Sequence, residues 1–266
     1  MLDEISTHVL GGFVYRTIGV VSPSTRDVAE EMMSELSLIA PRVVTRARLK
    51  IHHDEERPST ERYVAQGSME VNGHRVRTEA AASTAEEALS SIGRGLDRRL
   101  QMIPERQKRA GKRPPATPAV RWRRDGPRAA RPRYRARPPE ERQLLRRKTY
   151  RAVDTMSIED ALLNLTLLDF RVFLFTDEAD DVASIVYETG QGIALRRIDG
   201  SFARPDTVSP RVIIDSAPAP VMPTADAVGI MNLDDRPFLY YQDIGRMEAA
   251  AIYRRFDGHY GLIVSI

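Results

Sequence analysis

The first hundred residues switch between the two-residue period of a strand and the 3.6-residue period of a helix, and they predict the order β-α-β-β-β-α. Phe13 to Ile18 reads as the first strand. Ser22 and Pro23 supply an N-cap and a first-turn proline, and Val28, Met32, Leu36 and Ile39 then recur at helical spacing until Pro41. Val43 to His52 alternates, with Ala47, Leu49 and Ile51 on one face and Arg46, Arg48, Lys50 and His52 on the other. Tyr63 to Val71 and Arg75 to Ala82 are joined through Asn72-Gly73, a pair that tolerates the positive φ angles of a two-residue hairpin turn. Ser83 with Glu86 reads as a capping box, and Leu89, Ile92, Leu96, Leu100 and Ile103 form the buried stripe of a closing helix. Arg94 and Arg98 face away from that stripe, and Arg99 lies on its flank.

The pattern then breaks. From Arg106 to Arg151 the chain holds seven prolines and only scattered apolar residues, with eighteen Lys or Arg against three acidic groups. Like charges repel and proline forbids regular hydrogen bonding, so a disordered, extended linker is expected here. This fixes the domains as 1–105, a linker at 106–151, and two modules at 152–200 and 211–266.

Those modules are copies. Met156-Ser157-Ile158-Glu159-Asp160-Ala161 precedes Met222-Pro223-Thr224-Ala225-Asp226-Ala227 by 66 positions, and the same offset pairs Leu167 with Leu233, Asp177 with Asp243 and Tyr187 with Tyr253. In each copy a short helix leads to an apolar run, Val172 to Phe175 or Phe238 to Tyr241, then an acidic turn and a second strand. The fold class is therefore α+β, with tandem helix-plus-sheet units after the linker. Units of this size need a partner surface.

Composition adds exclusions. The chain of 266 residues has no cysteine, which rules out disulfides and thiolate sites and suits a reducing, cytoplasmic setting. No stretch of about eighteen apolar residues and no export signal is found, so no membrane association is expected. The net charge of +3 conceals a basic linker between two acidic parts: residues 1–105 carry thirteen basic and sixteen acidic groups, and residues 152–266 nine and eighteen.

Candidate chemistry follows the charge. Arg46, Arg48, Lys50, Arg75, Arg77, Arg94 and Arg98 could make one phosphate-contacting surface, or could be solvated faces. In the linker, Lys108, Arg109, Lys112, Arg113, Arg121, Arg123, Arg124, Arg131, Arg133 and Arg135 suit RNA through counterion release and bidentate contacts. Trp122 and Tyr134 could stack on exposed bases. His52-His53-Asp54-Glu55-Glu56 reads as a solvated strand end rather than a metal site, because adjacent strand side chains diverge. Gly190-Gln191-Gly192 has no phosphate-loop lysine after it. No cofactor, metal or enzymatic activity is expected.

The C-terminal motifs resemble the long form of the bacterial hibernation-promoting factor, or ribosome-associated inhibitor, family. The resemblance rests on Met156 to Ala161, on Tyr253-Arg254-Arg255, and on Asp257-Gly258-His259-Tyr260-Gly261-Leu262-Ile263, with the element order and Asn-Gly hairpin in support. It implies a translation inhibitor bound to the small ribosomal subunit, contacting ribosomal RNA and proteins where messenger and transfer RNA would lie. The residues alone leave a general single-stranded RNA-binding or annealing protein open. Two features depart from the ordinary long form: the N-terminal part is acidic, and the C-terminal module is doubled, as in the mycobacterial dormancy-associated form. Pairing of the two modules within one chain, through Val172, Phe173, Phe175, Tyr187, Phe238, Tyr240, Tyr253 and Tyr260, is expected to leave one copy per ribosome and no joining of ribosomes.

Overall fold

The structure is a computed structural model that describes residues 5–10, 13–39, 44–103, 131–152, 155–201 and 212–265. It divides into two compact units, one on the N-terminal sheet and one on both C-terminal sheets.

The first unit runs β1 (Ile5–Leu10), β2 (Phe13–Ile18), α1 (Ser24–Ile39), β3 (Val44–His53), β4 (Tyr63–Val71), β5 (His74–Ala82) and α2 (Ala85–Leu100). The strands lie side by side in sequence order; β2 and β3 are parallel and the other neighbours antiparallel. Strand β1 is an addition to the predicted order. It escapes a pattern search because it has no apolar face: Ile5 and Val9 are 55% and 77% exposed, and backbone pairing to β2 holds it at the sheet edge.

The alternation in β3 is realised. Ala47, Leu49 and Ile51 are buried, and Arg46, Arg48 and Lys50 are exposed. Both helices cover the buried face, where Met32, Leu36, Leu89, Ile92 and Leu96 meet the sheet, each such side chain contributing roughly 1.5–3 kcal/mol by leaving water. The approach of α2 is close enough to demand glycine at residue 67, since a Cβ there would lie 2.5 Å from Ile92 Cγ2 and 3.1 Å from Leu96 Cδ1. Asn72 and Gly73 take φ angles of 54° and 79°, as the hairpin requires. The cap of α2 lies one residue beyond the expected Ser83: Thr84 is extended and its hydroxyl accepts from Glu87 N at 3.2 Å, while Ser83 bonds the Glu87 carboxylate.

The second unit contains β6 (Leu144–Ala152), β7 (Thr155–Met156), α3 (Ile158–Leu167), β8 (Val172–Asp177), β9 (Ala183–Thr189), β10 (Gly192–Arg197), β11 (Val212–Asp215), β12 (Val221–Met222), α4 (Thr224–Leu233), β13 (Phe238–Asp243), β14 (Glu248–Arg254) and β15 (Tyr260–Ser265). The duplication is plain: α4 and β13 begin 66 residues after α3 and β8. Each copy folds into a five-stranded sheet, ordered β11-β10-β9-β8-β7 in the first and β12-β13-β14-β15-β6 in the second.

These orders contain an exchange. Strand β6 precedes the first copy but pairs parallel to β15 of the second, and β11 precedes the second copy but pairs parallel to β10 of the first. Residues 139–152 therefore belong to the folded module and not to the linker, whose span was drawn to 151. The misreading has a physical cause. Strand β6 is an edge strand, where charged residues are common, and the run Arg146-Arg147-Lys148 makes its sequence resemble the basic segment before it. Residues 104–130 lie outside the described part.

The unit is layered as helix, sheet, sheet, helix. In β8 the side chains alternate between layers: Phe173 and Phe175 pack towards α3, Val172 and Leu174 towards the other sheet. In β13, Leu239 and Tyr241 pack towards α4, Phe238 and Tyr240 towards the first sheet. Runs apolar at every position are what a strand buried on both faces needs.

Candidate nucleic-acid interface

The outer face of the N-terminal sheet is a grid fixed by strand register. One row holds Val14, Arg48, Ser68 and Arg77; the next holds Arg16, Lys50, Gln66 and Glu79; on the other side Arg46, Glu70 and Arg75 lie abreast. Neighbouring strands are about 4.8 Å apart and alternate residues along a strand about 6.8 Å, so six cations share one small face. The acidic members are tempered by neighbours. Glu70 sits between two arginines, and Glu79 is ion-paired with Arg77, while burial pushes its carboxyl above the ordinary value against the pull of that arginine. With its amide oxygen turned towards β5, Gln66 accepts from Arg77 Nε at 2.7 Å, which aims the guanidinium along the face.

Arg16 was missed in the sequence. Extending the inward set Phe13 and Tyr15 to its outward complement, Val14 and Arg16, would have found it. Arg94 and Arg98, by contrast, do not join the grid. They are carried by α2, which covers the opposite face, and Arg94 donates to Ser90 and Ser91 at 2.7 and 3.0 Å. The single surface expected from sequence is thus two surfaces. In β3 the histidine run resolves structurally: His53 stacks on Tyr63 with centroids 4.6 Å apart, and Asp54 pairs with Arg57 at 3.3 Å.

Of the linker candidates, Lys108, Arg109, Lys112, Arg113, Arg121, Trp122, Arg123 and Arg124 lie outside the described residues. Arg133 is exposed, and Arg131 and Arg135 are half-buried. Tyr134, a candidate for base stacking, makes an intramolecular stack. Its ring stacks on Phe256 at 5.6 Å, with the Arg171 and Arg254 guanidinium carbons 4.9 and 5.4 Å from its centroid. Arg135 N donates to Phe256 O at 3.0 Å, so this segment lies along the β14–β15 turn.

That turn carries the motif on which the resemblance rests, and each residue has an architectural task. Asp257 accepts from Arg255 and from His259 N; burial alone would raise its carboxyl, but the Arg255 pair holds it below the ordinary value. Gly258 is left-handed at φ 82° and lies against the backbone of Arg135. Tyr260 donates to Met231 O at 2.9 Å, fastening β15 to α4. Gly261 leaves room for the Tyr253 ring on its register partner.

The pairing residues separate by layer. Val172, Tyr187, Phe238, Tyr240 and Tyr253 meet between the sheets, with the Tyr187 and Phe238 rings 5.0 Å apart. Phe173, Phe175 and Tyr260 belong to the cores under their own helices. Leu174, Ile185, Ala249, Ala251 and Ile263 also line the interface and were not singled out, because small or aliphatic residues in a strand carry no mark of which side they face.

Comparison with known proteins decides the relationship. The family described as Sigma 54 modulation/S30EA ribosomal protein C terminus matches twice, at residues 139–193 and 210–262, and each match opens on one of the exchanged strands. The chain therefore carries two copies of that family's domain in its C-terminal half. It is also similar to the dormancy associated translation inhibitor of Mycobacterium tuberculosis, in strains CDC 1551 and H37Rv alike, at 30% identity over 141 residues, which is 50% of this chain. The chain spans about half the length of those curated relatives, 51%. Among the described residues no helix is long and apolar enough to cross a membrane, and no three potential metal ligands come together.

Proposed function

We propose that this protein is a ribosome hibernation factor that acts by occupancy and not by covalent chemistry. The N-terminal sheet face and the basic segment engage ribosomal RNA of the small subunit in the channel for messenger and transfer RNA, which blocks translation and shields the idle ribosome. The observation that carries this reading is the grid of Arg16, Arg46, Arg48, Lys50 and Arg75, exposed on one sheet face with the half-buried Arg77 beside them. Such a face neutralises phosphates without reading bases, as a structured RNA channel requires. The doubled domain and the likeness to a translation inhibitor support it. Because the two C-terminal modules satisfy each other within one chain, one copy acts per ribosome and ribosomes are not joined.

The test is cosedimentation of the full chain with purified ribosomes in excess competitor RNA, with translation of a reporter messenger measured in parallel. Retention on ribosomes and loss of translation are expected. Binding that competitor RNA abolishes would instead identify a general single-strand binder.

A further inference from the structure

From β12 to β14 the duplication gives each position of the second module a counterpart 66 residues earlier in the same fold. The turns after β8 and β13 share one backbone. Asp181 N donates to Asp177 O at 2.8 Å and Met247 N to Asp243 O at 2.7 Å; Glu178 N donates to Met156 O and Ile244 N to Met222 O. Asp181 and Met247 are both left-handed, at φ 63° and 56°. The side chains differ in kind. Where the first copy has Thr155, Glu178 and Asp181, the second has Val221, Ile244 and Met247, which are 54%, 56% and 63% exposed.

Folding does not explain the difference. A left-handed position favours Asp, Asn or Gly, so methionine at 247 is kept against local preference. Single exposed apolar residues are ordinary. Three at one end of one sheet, each standing where the twin module is polar, mark a surface that another molecule covers.

We infer that the end of the second module formed by Val221, Ile244 and Met247 docks on a basic protein surface of the ribosome, burying these side chains at its centre. This rests on the hibernation reading above. Charge selects the partner: Asp226 opens α4 just after β12, Asp243 and Glu248 flank the turn that holds Arg246, and residues 139–266 carry twenty acidic groups against fourteen basic. RNA phosphates and a second, equally acidic copy are both repelled by such a rim, whereas a basic protein is drawn to it.

The experiment uses the full chain. A variant carrying the twin module's residues, Val221→Thr, Ile244→Glu and Met247→Asp, should keep the wild-type circular dichroism and melting temperature and bind purified ribosomes about 10-fold more weakly. Binding unchanged by these substitutions overturns the inference alone; a wild-type chain that does not bind ribosomes overturns the hibernation reading with it. Should the triple variant misfold, a photo-crosslinking residue at position 247 keeps the test open. On ribosomes it should label a ribosomal protein. Labelling of RNA, of a second copy, or of nothing in a chain that cosediments overturns the inference.

Discussion

The Tyr240 phenol of the second C-terminal module donates to the Ala183 carbonyl of the first at 3.0 Å. The bond lies among buried hydrophobic side chains, and burial pushes the phenol well above its ordinary value, so Tyr240 is a neutral donor at any physiological pH. It is a polar point among apolar side chains, and such points fix the lateral setting of one sheet on another.

Removing the hydroxyl should isolate that bond. Tyr240→Phe is expected to cost about 1 kcal/mol, and Tyr240→Ala, which also opens a cavity between the sheets, about 3–5 kcal/mol. Urea unfolding of the C-terminal unit measures both. Equal effects of the two substitutions would show that the ring is not packed as described.

On the N-terminal sheet, reversing Arg46, Arg48 and Lys50 to glutamate should weaken ribosome binding while leaving circular dichroism unchanged, because the core side of β3 is Ala47, Leu49 and Ile51. Adding Arg16→Glu, the register neighbour of Lys50, should weaken it further. Each lost phosphate contact lowers the slope of log affinity against log salt by roughly 0.7–0.9. A quadruple variant with the wild-type slope would place the grid outside the binding surface.

Gly67→Ala tests the packing of α2 on β4. Ile92 is β-branched and cannot swing away, so the added methyl should cost about 1–3 kcal/mol in thermal or urea unfolding of the N-terminal unit. An unchanged midpoint would mean that the helix stands off the sheet.

Thr224 donates to the Asp243 carboxylate at 2.6 Å and lies 2.8 Å from the Tyr241 hydroxyl, where the first copy has apolar Ile158 and Phe175. That bond holds the Asp243 carboxyl below its ordinary value. A depressed carboxylate stabilises the fold above its unfolded-state value, and the contribution is lost as pH falls through the folded one. Thr224→Val should therefore raise the Asp243 titration midpoint, read by carboxyl carbon NMR, and reduce the share of acid-side destabilisation that this group supplies.

How much of this was legible in the sequence depended on whether a residue's neighbours alone determine its setting. The β3 alternation, the Asn72-Gly73 turn and the 66-residue repeat are local or periodic facts and read directly. Strand β6 did not, since its partner β15 is remote in sequence and its charges match the linker's. For the same reason the apolar run Val172-Phe173-Leu174-Phe175 announced burial on two sides without saying which pair met α3 and which met the other sheet. The intramolecular stack of Tyr134 was not legible either, because an aromatic among arginines suits RNA and such a stack equally well.

The exchange of β6 and β11 also sets a timetable for synthesis. As the chain emerges, β6 appears first and must wait for β15, made more than a hundred residues later, whereas β11 meets its partner β10 as soon as it is made. The first sheet can close during elongation; the second stays one strand short until nearly all of residues 144–265 have been exported from the tunnel. Throughout that interval a cationic strand lacks its partner beside the RNA of the ribosome that is producing it. Only pairing with β15, the last strand described, takes β6 into its sheet.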